Sequence, residues 1–228
     1  MNKTLVVDIG GTHMKLLMTS AEQRQFDSGP TMRPAEFVTK LKETTAGWDF
    51  DNISIGFPSV VRGGKVVKEP KHLGQGWIGF DFGTSLGKSV HVINDAAMQA
   101  LGSYHGGRML FLGLGTGLGS ALVLDKMLFP LELGDLPYRG HEKIENFLGI
   151  PGIDRLGEDE WKAEVIFAVI QLKLSLIADY VVLGGGNVHR FDQLPEGIER
   201  GSNENAFLGG LRLWEIDSGT GEKKWRVI

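Results

Sequence analysis

Short apolar blocks, alternating or unbroken, recur along the chain and are separated by glycine-rich or polar breaks. Leu5-Val6-Val7-Asp8-Ile9, His13 to Thr19 and Gln23 to Asp27 have strand character, and Gly10-Gly11-Thr12 and Ser20-Ala21-Glu22 divide them, which predicts two N-terminal hairpins. Apolar residues then take helical spacing from Pro34 to Thr45, with Pro34 and Glu36 suited to a first turn, before Ile53 to Pro58 returns to a strand. Val61 to Pro70 reads as a small hairpin, and Lys71 to Gly83 as a glycine-rich loop carrying Trp77, Phe80 and Phe82, of the kind that often contacts ligands. His91 to Asn94 is a short strand, and Asp95 to Tyr104 a helix opening at an acidic N-cap.

Arg108 to Leu114 and Ser120 to Leu124 repeat the plan of residues 5 to 19, two strands joined by a Gly/Thr turn. Glu158 to Ala178 is long enough for a helix, Tyr180 to Leu183 is a buried strand running into Gly184-Gly185-Gly186-Asn187, and a helix opens near Val188. A final helix from Asn203 ends near Trp214, and Ser218 to Ile228 reads as an accessory tail. The expected class is α/β with mixed sheets flanked by helices, in two lobes around a cleft. Gly106-Gly107 marks the hinge, with residues 1–107 in the first lobe and 108–202 in the second. Residues 203–228 are expected to pack back on the first.

At 228 residues the chain can bury a core in each of two small lobes. A net charge of −4 without a basic stripe argues against broad nucleic-acid binding. The absence of cysteine removes disulfides and thiolate zinc sites, so any metal must be held by oxygen ligands or His, and a reducing cytoplasm fits. Met1 to Asp8 is a strand pattern and not a secretion signal. Val165 to Ala178, broken by Gln171, Lys173 and Ser175, falls short of the roughly 18 to 20 apolar residues that cross a bilayer.

Asp8-Ile9-Gly10-Gly11-Thr12 with Lys15 is a candidate phosphate cradle. Glycine lets backbone N–H groups approach phosphate oxygens, Thr12 adds a hydroxyl, Lys15 a positive charge, and Asp8 can hold Mg2+ directly or through water. Gly113 to Gly119, with Gly115, Thr116 and Gly117 at its centre, is a second cradle. Taken alone it approaches a dinucleotide fingerprint, but a strand follows where that fingerprint requires a helix. Asn94-Asp95 places a carboxylate where a strand meets a helix. There Asp95 can act as general base in phosphoryl transfer to an alcohol, or simply cap the helix, and Asn94 can orient a hydroxyl.

Glu132, Asp135, His141 and Glu145 are polar groups able to grip a sugar, or else a solvated loop; glycoside hydrolysis by paired carboxylates would leave two phosphate-type cradles unexplained. Gly184, Gly185 and Gly186 can lie against adenine, or form a tight turn. Arg62, Lys65, Lys68, Lys71 and His72 make a basic run that can track a polyanion or remain a solvated hairpin.

The order of Asp8-Ile9-Gly10-Gly11-Thr12 with Lys15, Gly56-Phe57-Pro58, Gly76-Trp77-Ile78-Gly79, Asn94-Asp95-Ala96, Gly113 to Gly119, Glu132-Leu133-Gly134 and Gly184-Gly185-Gly186 resembles the ROK family of sugar kinases and regulators, nearest its polyphosphate glucokinase branch. The resemblance spans nearly all of residues 3 to 214. It implies a two-lobed actin-like ATPase (ribonuclease H-like) fold and hexose 6-phosphorylation, with glucose the first candidate. It further implies ATP and/or inorganic polyphosphate as donor, Mg2+, and usually a homodimer. In that family the residue matching Asp95 is the catalytic base, those matching Asn94, Glu132 and Glu145 hold the hexose, and the glycine turns bind phosphates.

Two departures stand out. Asp135 occupies a position where the family commonly has histidine, which puts glucose as the substrate in question, and the family's cysteine-rich zinc motif is missing, so no structural zinc is expected. No helical DNA-binding extension precedes Met1, so a kinase is expected over a regulator. A catalytically weak sugar-binding or sensory module of the same fold, or a kinase for an amino sugar, are the alternatives.

Overall fold

The computed structural model describes residues 3–10, 12–18, 23–202 and 204–228. Strands β1 (Thr4–Ile9), β2 (His13–Met18) and β3 (Arg24–Asp27) form an antiparallel ribbon, then helix α1 (Pro34–Thr44) crosses back to β4 (Asn52–Phe57), which pairs in parallel with β1. Gly11, residues 19–22 and Asn203 lie outside the described residues. Pro34 suits the first helical turn because it has no N–H to leave unpaired, and α1 buries Phe37 and Leu41 on the sheet.

A two-stranded hairpin follows, β5 (Val61–Arg62) with β6 (Lys65–Val66), and then short helix α2 (Phe82–Leu86) and β7 (Ser89–Asn94), which pairs with β4 and completes the sheet in the order β3-β2-β1-β4-β7. The aromatic loop is core as much as surface. Trp77 and Phe82 are buried with Phe37 and Phe57, and their rings pack at 5.1 to 6.1 Å, so most of this aromatic content holds the sheet's outer face together.

Helix α3 (Asp95–Ser103) leads into the second sheet through β8 (Arg108–Leu114), β9 (Leu118–Leu124) and β10 (Met127–Leu131). After α4 (Glu145–Leu148), α5 (Ile150–Leu156) and α6 (Glu158–Ser175), β11 (Tyr180–Gly184) and β12 (Ile198–Arg200) join β8 in parallel register. Helix α7 (Glu204–Arg212) and strand β13 (Arg226–Val227) close the chain, and the second sheet has the order β12-β11-β8-β9-β10-β13. The helix expected near Val188 is only a single 3-10 turn, Val188–Arg190.

Layering follows from three cores. One lies outside the first sheet, one lies between the sheets around α3 and α7, and one lies between the second sheet and α6, where Trp161, Val165, Ala168 and Val169 are buried. Helices α3 and α7 cross with their backbones touching: a Cβ at Gly102 would sit 1.8 Å from the Asn205 carbonyl oxygen, and one at Gly209 1.8 Å from that of Met98. Ser54 Oγ donates to the Gly210 carbonyl, tying α7 to the first sheet.

Residues 218–228 are not an accessory tail. Trp225 is buried in the middle core and β13 pairs with β10, contacts between positions about a hundred residues apart that no local pattern announces.

The same segment brings Lys223 Nζ within 2.9 Å of His91 Nε2, while the His91 ring stacks on Trp214 at 3.9 Å. Burial, reinforced by the Lys223 charge, pushes the His91 imidazole down to about 4 from its ordinary 6.5. A group that resists protonation in the folded chain supports folding fully above pH 6.5 and withdraws that support as pH falls to about 4. His91→Phe, which preserves stacking, is therefore expected to flatten the loss of urea stability between those pH values, and an unchanged slope would refute this.

Candidate active site

A cleft of about 280 Å³ opens between the two sheets, lined by Gly10, Asn94, Asp95, Gly115, Thr116, Gly117, Glu132, Glu145 and Gly185 among others. The expected site residues that line it come from the ends of β1, β7, β8 and β11 and from the connections after β10. Topology thus converges segments scattered over residues 10 to 185.

Asn94, and not Asp95, caps α3: its Oδ1 accepts the Ala97 N–H at 3.1 Å, while its Nδ2 donates to the Ser59 carbonyl at 3.3 Å. Capping by the preceding residue shifts the helix start by one position and turns Asp95, the first helical residue, toward the cleft. Its Oδ1 accepts the neighbouring Ala96 N–H, at 2.8 Å. Removal of the carboxyl from water, followed by the negative charge of Asp8, raises Asp95 to about 7. Burial raises Asp8 to about 6, opposed by Lys15, its register partner across β1 and β2. A desolvated carboxyl that also feels a second carboxylate is costly to ionise and is a common mark of a functional site.

In the first turn the Gly10 N–H donates to the His13 carbonyl and Ser28 Oγ to the Gly10 carbonyl, so this amide closes the turn. Thr12 is exposed beside it, while Gly11 lies outside the described residues. In the second turn the Gly115 N–H likewise donates to the Gly117 carbonyl. Gly185 has φ +82°, and a Cβ there would lie 2.5 Å from the Leu114 carbonyl oxygen, so only glycine fits. Asn187 binds this bend to the second turn by donating from its backbone to the Leu114 carbonyl and from Nδ2 to the Gly115 carbonyl. Gly184 packs on Phe111, whereas Gly186 faces open space.

Glu132 is raised by desolvation of its carboxyl against the cleft wall, with Lys68 the strongest opposing charge. Glu145, on α4, reaches across Gly117, whose Cβ would stand 2.6 Å from Glu145 Oε2. Its Oε1 is 2.8 Å from Lys71 Nζ. Asp135 sits outside the cleft lining on a 3-10 turn, held below the usual carboxylate range by a hydrogen bond from Lys143, with Lys68 and Lys71 further off. His141 is exposed and outside the lining.

The basic run divides: Lys68, Lys71 and His72 line this cleft, whereas Lys65 faces a different cavity with His91 and Trp225. Sequence reasoning missed Ser59, Glu69 and Gln99, all of which line the cleft. Glu69 accepts the backbone N–H groups of Gly76, Trp77 and Ile78 at 3.1 to 3.4 Å, a role with no side-chain partner to betray it.

Among the described residues no group of three or more His, Asp or Glu is placed to hold a metal alone. Mg2+ held together with substrate phosphates keeps several waters and needs only one or two carboxylates, and the desolvated Asp8 carboxyl at the end of β1 is of that kind. No helix among the described residues is long and apolar enough to cross a membrane.

No family model matches the chain. Over 209 residues it is 28% identical to the polyphosphate glucokinase of Mycobacterium tuberculosis strain H37Ra, covering 82% of this chain and 78% of that one. The structure superposes on the inorganic polyphosphate/ATP-glucomannokinase of Arthrobacter sp. strain KM with a TM-score of 0.78 at 23% identity, covering 92% of this chain and 97% of that one. A ROK family glucokinase from Streptomyces griseus, solved with glucose and AMPPNP, superposes with a TM-score of 0.70 at 15% identity, covering 91% and 97%. The chain is thus similar in sequence to polyphosphate glucokinases and in fold to ROK sugar kinases.

The fold is the actin-like ATPase fold, with the two strand–Gly/Thr turn–strand units on opposite sides of the cleft. The fold expected from the ordered motifs and the fold of these solved structures agree.

Proposed function

We propose that the chain is a hexose kinase that transfers a phosphoryl group from inorganic polyphosphate or ATP to the 6-hydroxyl of a hexose, glucose being the first candidate, with Asp95 as general base. The observation that carries this reading is the Asp95 carboxyl, withdrawn from water at the junction of β7 and α3 and facing the cleft between two glycine turns. A base whose pKa lies near 7 is ionised often enough to accept a proton and basic enough to hold it.

In the proposed reaction the hexose oxygen bonds to the terminal phosphorus, the bond from that phosphorus to the rest of the donor breaks, and the hydroxyl proton passes to Asp95. The two glycine turns, with Thr12 and Lys15, position the donor; Gly184, Gly185 and Gly186 border the place for a nucleotide base. Asp8 would hold Mg2+, which supplies charge neutralisation at the phosphates. Asn94, Glu132 and Glu145 would orient the sugar, with Asp135 and its lysines at the rim.

The division into residues 1–107 and 108–202, with α7 returning to the first lobe, and a cytoplasmic setting, belong to the same reading. So does a homodimer. Its support is an apolar stripe on the outer face of α6, Phe167, Ile170, Leu174 and then Ile177, of which Leu174 and Ile177 are 67% and 73% exposed. Two copies of this stripe can pack about a two-fold axis. Light scattering is expected to give a dimer that Leu174→Glu converts to monomer, and a monomeric wild-type chain would remove this part.

The decisive experiment is a coupled sugar-phosphate assay with Mg2+, offering glucose, mannose and N-acetyl sugars against ATP and polyphosphate. Turnover with a hexose supports the kinase. A folded chain that binds sugar but turns over none would defeat it in favour of a sensory role.

A further inference from the structure

The segment after β6 carries two lysines over the cleft on a backbone fixed from both sides. Ser59 Oγ donates to the Lys68 carbonyl at 2.8 Å, anchoring it to the end of β4. The Glu69 carboxylate accepts three successive N–H groups of the loop that buries Trp77, anchoring it again. From this support Lys71 crosses to Glu145 on α4 at 2.8 Å, and Lys68 approaches Asp135 at 3.9 Å. Both acceptors belong to the far side of the cleft, on the connections after β10. The Glu145 side chain is only 18% exposed, so its ion pair is better shielded than an ordinary surface pair.

An ammonium and a carboxylate in contact offer complementary functions to one alcohol: the hydroxyl oxygen accepts from Nζ–H while its hydrogen is donated to the carboxylate. A polyanionic donor would use the ammonium alone and leave the carboxylate repelling it. This distinction rests on the hexose-kinase reading. We propose that Lys71, with Lys68 beside it, is a specificity residue of the sugar site and not part of a track for the phosphoryl donor, and that the Lys71–Glu145 pair grips one hexose hydroxyl between its two charged ends.

The test is Lys71→Met beside Lys71→Arg, with glucose and the 2-, 3- and 4-deoxyglucoses as probes in kinetics and calorimetry. Lys71→Met is expected to raise the KM and Kd for glucose about five- to tenfold with kcat nearly unchanged, the pattern of lost uniform binding, while Lys71→Arg recovers part of the loss. Against one deoxy sugar the substitution should have no further effect, because the hydroxyl it grips is already gone. Donor KM values for ATP and polyphosphate should stay within about twofold of wild type by the same reasoning. A rise in the polyphosphate KM with sugar binding unchanged would assign the lysines to the donor and overturn the proposal. So would losses that add with every deoxy sugar, or a glucose Kd equal to wild type. If the wild-type chain binds glucose without phosphorylating it, the kinase reading fails while the calorimetric comparison still decides the grip. No glucose binding at all would overturn both.

Discussion

Asp95→Asn is expected to lower kcat by at least about 100-fold, within the range that general-base assistance usually supplies, while donor and sugar affinities change little. The isosteric amide keeps the helix start, because Asn94 does the capping and an amide oxygen at position 95 can still accept the Ala96 N–H. Two further signs separate loss of a base from loss of structure. Wild-type kcat/KM should fall as pH drops through about 7, since only ionised Asp95 can accept the proton, and the residual activity of the variant should lack that limb. The variant should also be the more heat-stable of the two at pH 8: the raised pKa means that ionisation of Asp95 weakens the fold as pH rises through about 7, and asparagine has no such ionisation. Residual turnover within about tenfold of wild type would remove Asp95 from the base role.

Gly209→Ala is expected to destabilise the chain by about 2 kcal/mol or more, although alanine in place of glycine inside a helix normally gains close to about 1 kcal/mol. The contest is decided by distance. The added methyl would stand 1.8 Å from the Met98 carbonyl oxygen and 2.9 Å from its carbonyl carbon, and these are backbone atoms with no rotamer to change. Helices α3 and α7 would have to separate, and α3 carries Asp95, so turnover should fall along with the melting temperature, by roughly 5 °C or more for a chain of this size. Melting curves for Gly209→Ala showing unchanged or raised stability would mean the helices do not cross this closely.

Much of the fold was legible because its signals are local. The Gly/Thr turns between strand pairs, Pro34 at the start of α1, and the apolar run of β11 ending in glycines all announce themselves within a few residues, and all fall where the pattern placed them. The misreadings depend on longer reach or finer offset. Whether Asn94 or Asp95 caps α3 is a one-residue choice between two good capping side chains, and it is settled by the Ser59 carbonyl that holds the other end of the Asn94 amide. Trp225 gives no sign in sequence that it completes the core between the sheets. In sequence Glu69 draws no reading and Lys71 stays open between a polyanion track and a solvated hairpin, because the amides at 76–78 and the carboxylate at 145 that engage them are distant in sequence or carry no side-chain signature.

Strand β13 has a further consequence. The backbone of β10, Met127-Leu128-Phe129-Pro130-Leu131, is apolar and would be an open margin of the second sheet, ready to template pairing with another chain. The Arg226 N–H donating to the Lys126 carbonyl and the Ile228 N–H donating to that of Leu128 occupy its first half, and Pro130 lacks the N–H that would extend a ladder along the second. Residues 226–228 therefore cover this edge in the folded chain, and their removal is expected to leave it open to edge-to-edge pairing between folded copies.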